Sequence, residues 1–389
     1  MLFNERRFAV EQPQHASNQF ASDQESAVHA FASYCLSATM IFAPNEFKKG
    51  NATREPCDLV WVARDMLFLI AMQASTKPQL KQDNHNVTQL RGWLRTWCTS
   101  DIKLEGATPI TQYSISHDEL PLVLVSVTDA EDGKAAILRL PGAPKNEAEE
   151  KVLLACSIPA VALMQLAHTG GGAADLACLI DQLAKAERPV STFVFLQWID
   201  DLRNSSYHRL LVKHRIPQEL STEFLDTYPH HVILSLRHSG GVYESGEGNK
   251  ANYAVVSAFN DLNWFQTYEI CWYMAYFAGS IIETPVGELG PGAIGRIIKS
   301  GNYTIYVGAY AAAAPGALET VMEGYAAALK MQKEGFPVLS LMMMISDLAA
   351  AEPFKSIIFG GEVTTGPSNA RRVIERAASR IASRSMGEE

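Results

Sequence analysis

Residues 55–75 read EPCDLVWVARDMLFLIAMQAS, and this stretch determines the fold that the sequence predicts. Two short apolar runs, LVWV at 59–62 and MLFLIAM at 66–72, are separated by the polar-centred tripeptide ARD. Runs of this length and apolarity are typical of central β-strands, and a polar break between them is typical of a tight turn. We therefore expect a β-hairpin that begins just after Asp58 and ends at Gln73.

The segments that follow the hairpin predict a mixed α/β (α+β) fold. Apolar residues recur at helical spacing in NVTQLRGWLRTW at 86–97. The runs PLVLVSVTD at 121–129 and AAILRL at 135–140 read as strands, and the turn residues of AEDGK between them predict a second hairpin. Further along, residues 303–346 predict a strand, a helix and a second strand in that order, which indicates mixed α/β structure in the second half.

The polar segment PGAPKNEAEEK at 141–151 is interrupted by Pro and Gly and predicts a domain boundary or a long loop. We place an α/β domain at residues 1–145 and a second mixed α/β domain of unassigned role at residues 146–389, which ends in a basic helix. A chain of 389 residues is long enough for two such domains.

Composition excludes several classes of protein. The net charge is −9, so any binding of nucleic acid depends on a local basic surface rather than on the chain as a whole. The six cysteines form no CxxC pair and no zinc-type spacing, which favours reduced thiols in the cytoplasm. The longest strongly apolar stretch, residues 270–282, is shorter than the roughly 20 residues of a membrane span, so we expect a buried helix and no membrane contact.

The two ends of the predicted hairpin carry polar residues that paired strands would hold at a fixed spacing. A carboxylate such as Asp58 and a second polar group near the end of the partner strand can converge on one hard cation. As an alternative, Asp58 caps its strand or forms an ion pair with Arg54 or Arg64.

Residues 31–97 resemble the PD-(D/E)XK, or restriction-endonuclease-like, nuclease superfamily. The matching pieces are ASYCLSATMIFAPN, REPCDLVWV, MLFLIAMQ and the polar DNHNVTQLRGW that enters a Trp-bearing helix. The resemblance implies that Asp58 is the metal-binding Asp and that Glu55 corresponds to the Glu just before it. Where the superfamily has an acidic or Ser residue and then Lys, this chain has Ala71 and Gln73.

This departure determines the function that the resemblance implies. Gln73 can hydrogen-bond water or a phosphate oxygen but lacks the charge of Lys, and Ala71 supplies no ligand. We therefore expect a catalytically degenerate nuclease-fold protein with no certain cofactor, which binds nucleic acid or a partner protein or acts as a regulatory component. The families that share these motifs are often found in bacterial defence.

Two alternatives remain open. The chain is an active, Mg²⁺-dependent phosphodiesterase if Lys77 or Lys81 has moved into the place of the missing lysine. It is a non-enzymatic α/β interaction protein, unrelated to nucleases, if residues 55–73 form no hairpin.

The C-terminal segment predicts a basic helix. Its arginines recur at every fourth position, which aligns them as one slowly drifting stripe that can meet a phosphate backbone or an acidic partner. Alternatively, arginines at a helix C-terminus complement the helix dipole and keep a terminal helix soluble. The residues are Arg372, Arg376, Arg380 and Arg384.

Overall fold

The structure is a computed structural model. It describes residues 41–42, 47–49, 52–54, 57–73, 78–99, 104–107, 112–115, 120–128, 133–140, 142–216, 261–283, 293–300, 303–311, 316–330, 338–345, 354–359 and 367–385.

Strands and helices are numbered in chain order. The strands are β1 (Ile41–Phe42), β2 (Phe47–Lys49), β3 (Ala52–Arg54), β4 (Leu59–Ala63), β5 (Met66–Gln73), β6 (Leu104–Ala107), β7 (Gln112–Ile115), β8 (Leu122–Thr128), β9 (Lys134–Leu138), β10 (Val152–Pro159), β11 (Val190–Ser191), β12 (Ala293–Ser300), β13 (Tyr303–Ala311), β14 (Val338–Ile345) and β15 (Phe354–Phe359). The helices are α1 (Gln79–Thr99), α2 (Glu147–Glu150), α3 (Ala160–His168), α4 (Ala173–Ala186), α5 (Thr192–His214), α6 (Trp264–Glu283), α7 (Ala317–Lys330) and α8 (Asn369–Ser385). The fold class is mixed α+β, as the sequence predicts.

The largest sheet has seven strands in the order β1-β4-β5-β8-β10-β9-β11. Strands β4 and β5 form the predicted antiparallel hairpin, in which Leu59 pairs with Ile70 and Ala63 with Met66. The chain then forms α1 and returns as β8, which lies parallel to β5. The hairpin prediction is therefore confirmed for the two strands.

The predicted pairing of β8 with β9 is wrong. Strand β10 lies between them, parallel to β8 and antiparallel to β9. The link AEDGK is short enough for a hairpin, but a third apolar strand further along the chain pairs with both runs. Sequence near the turn does not reveal such a long-range competitor.

The sheet also includes strands from both sides of the boundary predicted at residues 145 and 146. The polar segment there ends in the short helix α2, whose Glu149 is 4% exposed. The Glu149 carboxylate accepts hydrogen bonds from Arg91 of α1 at 2.5 and 3.1 Å and from Arg95 at 3.0 Å. The charges in this segment hold α2 against α1, so the segment is a surface connection within one sheet.

Helices cover both faces of the seven-stranded sheet, because its central strands are apolar on both sides. On one face, Val60 and Leu67 pack with the Leu90 and Trp97 side chains of α1. On the other face, Trp61 and its strand neighbours pack with helices α3, α4 and α8. The result is a three-layer α/β/α arrangement, which suits strands whose side chains are buried on both faces.

A second sheet has four strands in the order β12-β13-β14-β15. Strands β13 and β14 are parallel and are joined through α7, which confirms the predicted strand–helix–strand unit. Helix α6 contains the apolar stretch 270–282, and Cys271, Met274 and Phe277 are buried as expected. Among the described residues, no helix combines the length and apolar character that crossing a membrane requires.

The N-terminus of α8 is bound by a buried carboxylate. Asp261 accepts hydrogen bonds from the backbone N–H groups of Asn369 at 2.6 Å and Ala370 at 2.7 Å, and from the Tyr303 hydroxyl at 2.5 Å. Burial raises the pKa of Asp261 to about 6, although these hydrogen bonds oppose the shift. This carboxylate therefore links α8 to the first turn before α6 and to strand β13.

Candidate functional site

Asp58 lies at the open end of the β4–β5 hairpin. Its backbone N–H donates to the carbonyl of Ile70 at 3.1 Å, and its Oδ2 accepts a hydrogen bond from the backbone N–H of Met72 at 2.5 Å. The carboxylate thereby adds one bond to the ladder beyond the paired residue Leu59. Of the roles expected for Asp58, the geometry matches the strand cap.

The other residues predicted around Asp58 are placed as follows. Gln73 is the last residue of β5, one position beyond the N–H group that Asp58 binds. Arg64 lies in the turn at the opposite end of the hairpin, with a positive φ of 52°. Lys81 is exposed in the first turn of α1, whereas Glu55 and Lys77 lie outside the described residues.

Three parallel strands end at the same edge of the sheet as Asp58. Because β5, β8 and β10 run in one direction, Ala71, Ser126 and Ser157 lie side by side in register. The first turn of α1 follows β5 directly, so it lies at this edge too. In α/β sheets the carboxyl ends of parallel strands are where ligands most often bind, which makes this edge the candidate site.

Five polar side chains fill this edge, and we refer to them as the carboxyl-edge cluster. They are Gln79, Asp83 and Asn86 of α1, Ser126 of β8 and Ser157 of β10.

The carboxyl-edge cluster is connected by short hydrogen bonds. The Ser126 hydroxyl donates to Asp83 Oδ1 at 2.7 Å and accepts from Asn86 Nδ2 at 2.9 Å. Gln79 Nε2 donates to the Ser157 hydroxyl at 3.0 Å, and its amide group also pairs with the backbone of Lys134. The cluster fixes the start of α1 against three strands of the sheet.

Burial controls the protonation of this cluster. Desolvation raises the pKa of Asp83, and hydrogen bonds from Ser126, Ser157 and Gln79 partly oppose that shift. The neighbouring Cys156 is fully buried, and burial together with the charge of Asp83 raises the pKa of its thiol. Cys156 is therefore a protonated thiol at neutral pH and a poor nucleophile.

Two buried oxygen atoms at this edge lack a hydrogen-bond partner within the described part of the chain. They are Asn86 Oδ1 and Thr128 Oγ1, and both residues are at most 1% exposed. In the register of the sheet, Thr128 lies beside Gln73. Unpaired buried oxygens mark the side of the cluster on which a donor group would be stabilised.

Both acidic side chains described at this edge are hydrogen-bonded within the protein. The Asp58 carboxylate accepts from the backbone N–H of Met72, and the Asp83 carboxylate accepts from the Ser126 hydroxyl. Across the residues that the structure describes, no group of three or more His, Cys, Asp or Glu side chains is arranged to hold a metal ion.

Comparison with protein-family models, with curated proteins and with solved structures finds no match.

The two halves of the predicted arginine stripe of α8 have different surroundings in the fold. Arg380 forms an ion pair with Asp181 of α4 at 2.5 Å, and Arg384 binds Glu187 and the Ala184 carbonyl, each at 2.7 Å. By contrast, the side chains of Arg372 and Arg376 are exposed. Only the first half of the stripe is available for a partner, because the second half attaches α8 to α4.

The carboxyl-edge cluster was not predicted from the sequence, although a signal for it exists. Each of the apolar strands LVLVSVT and VLLACSIP is interrupted by one serine. In α1, Gln79, Asp83 and Asn86 occupy the helical spacing that Leu90 and Trp97 continue further along. Polar residues on the buried stripe of a helix indicate a polar partner on the facing sheet.

Proposed function

We propose that the chain is a nuclease-fold protein without hydrolytic activity that binds nucleic acid as a binding or regulatory component, in a setting such as bacterial defence. The arrangement of a hairpin, a helix and a parallel strand supports this proposal, because it brings Asp58 to the sheet edge where ligands bind. The polar residues of that edge provide hydrogen-bond donors and acceptors.

One observation carries the non-hydrolytic part of the proposal. The Asp58 carboxylate, which the resemblance assigns to the metal, accepts the Met72 N–H at 2.5 Å and completes the sheet ladder. Metal-dependent phosphodiester hydrolysis needs a cation that activates water and stabilises the charge developing on the phosphate. A carboxylate bound within the sheet, beside Ala71 and Gln73, is poorly suited to hold that cation.

The nucleic-acid part of the proposal rests on local charge. The chain as a whole is acidic, so binding requires basic side chains that the fold leaves exposed. Arg372 and Arg376 meet that requirement at the start of α8.

The test is an incubation of the purified protein with single-stranded and duplex DNA and RNA, in the presence of Mg²⁺ or Mn²⁺. We expect no cleavage, together with binding that weakens as salt is raised. Asp58→Ala is the control variant. Cleavage by the wild type that this variant loses would refute the proposal and support the active phosphodiesterase with a relocated lysine such as Lys81. Absence of both cleavage and binding would favour the unrelated α/β interaction protein.

A further inference from the structure

Three cationic side chains lie over aromatic rings on the surface formed by α5, α6 and β12. The guanidinium carbon of Arg209 lies 4.2 Å from the ring centroid of Phe265, and Lys213 Nζ lies 5.3 Å from the same centroid. The guanidinium carbon of Arg296 lies 5.4 Å from the ring centroid of Tyr273. We refer to these five residues as the cation–aromatic strip.

The strip follows one side of α6. Phe265 and Tyr273 are eight residues apart, which is about 12 Å along a helix. Both rings are nearly buried, at 6% and 8% exposure, so they form a fixed support for the cations above them. A cation held against a ring loses little further freedom when it binds an anion.

The charge of the strip is positive and largely uncompensated. Residues 203–215, which form the second half of α5 and its C-cap, include four Lys or Arg residues and no Asp or Glu. The carboxylate between the two rings is Glu269, which is 1% exposed and binds Lys213 at 2.5 Å and His214 at 3.0 Å. Within the described residues, Arg209 and Arg296 have no carboxylate partner and are exposed.

The helix dipole explains only part of this pattern. Lys213 lies in the last turn of α5, where a cation is stabilised by the helix C-terminus. Arg209 lies before that turn, and Arg296 lies on a strand. Their alignment along α6 therefore calls for another explanation.

We propose that the cation–aromatic strip binds the phosphate backbone of single-stranded nucleic acid, an inference that rests on the proposed nucleic-acid-binding function. The cations lie along one line above one helix, which matches one phosphate backbone rather than the two of a duplex. Tyr276 follows Tyr273 by three residues on α6 and is 58% exposed, so its ring is available for a base to stack on. Cations that follow the backbone beside an aromatic ring are the usual elements of single-strand recognition.

The test measures binding of short labelled dT and rU homopolymers, and of a duplex, by fluorescence anisotropy over a range of salt concentrations. The strip variant is Arg209→Ala with Arg296→Ala, because these two cations have no ion pair to lose within the described residues. The control is Arg139→Ala with Arg188→Ala, which removes the same charge from exposed positions outside both the strip and α8. Circular dichroism checks that both variants are folded.

We expect the strip variant to reduce the slope of log affinity against log salt by about 1.4 and to weaken binding about 20-fold near 0.1 M salt, whereas the control has a smaller effect. Tyr276→Ala should weaken single-strand binding by about 5- to 100-fold and leave the salt slope unchanged. Tyr276→Phe should retain most of the single-strand binding that Tyr276→Ala loses, because it keeps an aromatic ring.

The outcomes separate this inference from the function on which it rests. If the wild type binds and the strip variant binds equally well, the strip is not the nucleic-acid site, while the proposed nucleic-acid-binding function stands. Preference of the wild type for the duplex would also refute the strip as a single-strand site. If the wild type binds none of the probes at low salt, the proposed function fails and the inference fails with it.

Discussion

Replacing Asp58 tests whether its carboxylate serves the sheet or a metal ion. The bond from the Met72 N–H to Asp58 Oδ2 is 2.5 Å long and has a charged acceptor. Hydrogen bonds to charged groups contribute about 1.5–3 kcal/mol, and the partial exposure of Asp58 favours the lower end of that range. We expect Asp58→Ala to lower the free energy of unfolding by about 2 kcal/mol. Asp58→Asn retains an acceptor oxygen, so we expect it to cost about 1 kcal/mol.

Urea unfolding followed by circular dichroism measures these losses, and hydrogen exchange of the Met72 amide reports the bond itself. Exchange should accelerate in the Asp58→Ala variant and remain closer to wild type in the Asp58→Asn variant. Adding Mg²⁺ provides the contrasting measurement, because a bound cation at ten times its dissociation constant would stabilise the native state by about 1.4 kcal/mol. A wild type stabilised by Mg²⁺, with that gain lost equally in both variants, would show that Asp58 is a metal ligand and that the capping argument is wrong.

Three further predictions concern buried groups away from that site. Arg91→Leu leaves the buried Glu149 carboxylate with one arginine partner and should cost about 3 kcal/mol at pH 7. Burial alone would raise the pKa of Glu149, but its arginine partners lower it below 4.5, so this stabilisation is present above that pH and the difference in urea unfolding should shrink as pH falls further. Gly171→Ala should cost about 1–3 kcal/mol, because a Cβ there would lie 2.5 Å from the Leu166 side chain. Gly92→Ala in α1 should gain about 0.5–1 kcal/mol, because a Cβ there would meet the Arg95 side chain at an ordinary contact distance of 3.6 Å. Thermal unfolding that ranks the two variants in the opposite order would contradict this packing. Burial raises the pKa of Asp261 to about 6, so between pH 4 and pH 6 its native state holds a proton that the unfolded chain has released. This group should therefore lower the free energy of unfolding by up to about 3 kcal/mol as pH rises over that range. Asp261→Asn should remove this contribution and leave the slope that comes from Asp175, whose pKa burial raises to about 7.

The sequence predicts the positions of strands and helices better than it predicts which strands lie next to each other in a sheet. The apolar runs on either side of Arg64 and the helical spacing from Leu90 to Trp97 identify the hairpin and α1, because burial on a sheet or helix face leaves a periodic pattern. The order of β13, α7 and β14 is likewise predicted from their apolar patterns, whereas the parallel pairing of the two strands comes from the structure. The position of β10 between β8 and β9 does not follow, because strand order depends on pairing between distant segments.

In the candidate site, too, the sequence identifies single residues but not the distant residues that contact them. Asp58 is identifiable as the polar start of an apolar strand, but its bond to Met72 depends on the register of the hairpin. The bond between Ser126 and Asp83 joins residues that are 43 positions apart, so no local pattern predicts it. Likewise, the local sequence around Arg380 indicates an exposed basic residue, and only the fold shows that it forms an ion pair with Asp181.

The two outermost strands of the seven-stranded sheet have consequences for aggregation. Among the described residues, the long apolar strands β4, β5 and β8 lie inside the sheet, while β1 and β11 at its two borders contain two paired residues each. Very short border strands present few free N–H and C=O groups, so they give another chain little on which to extend the sheet. Removal of residues 41–42 would turn β4, with its buried Val60 and Trp61, into the border strand. Such a truncated chain should self-associate through β4, and this would be seen as concentration-dependent light scattering at temperatures where the full chain stays dispersed.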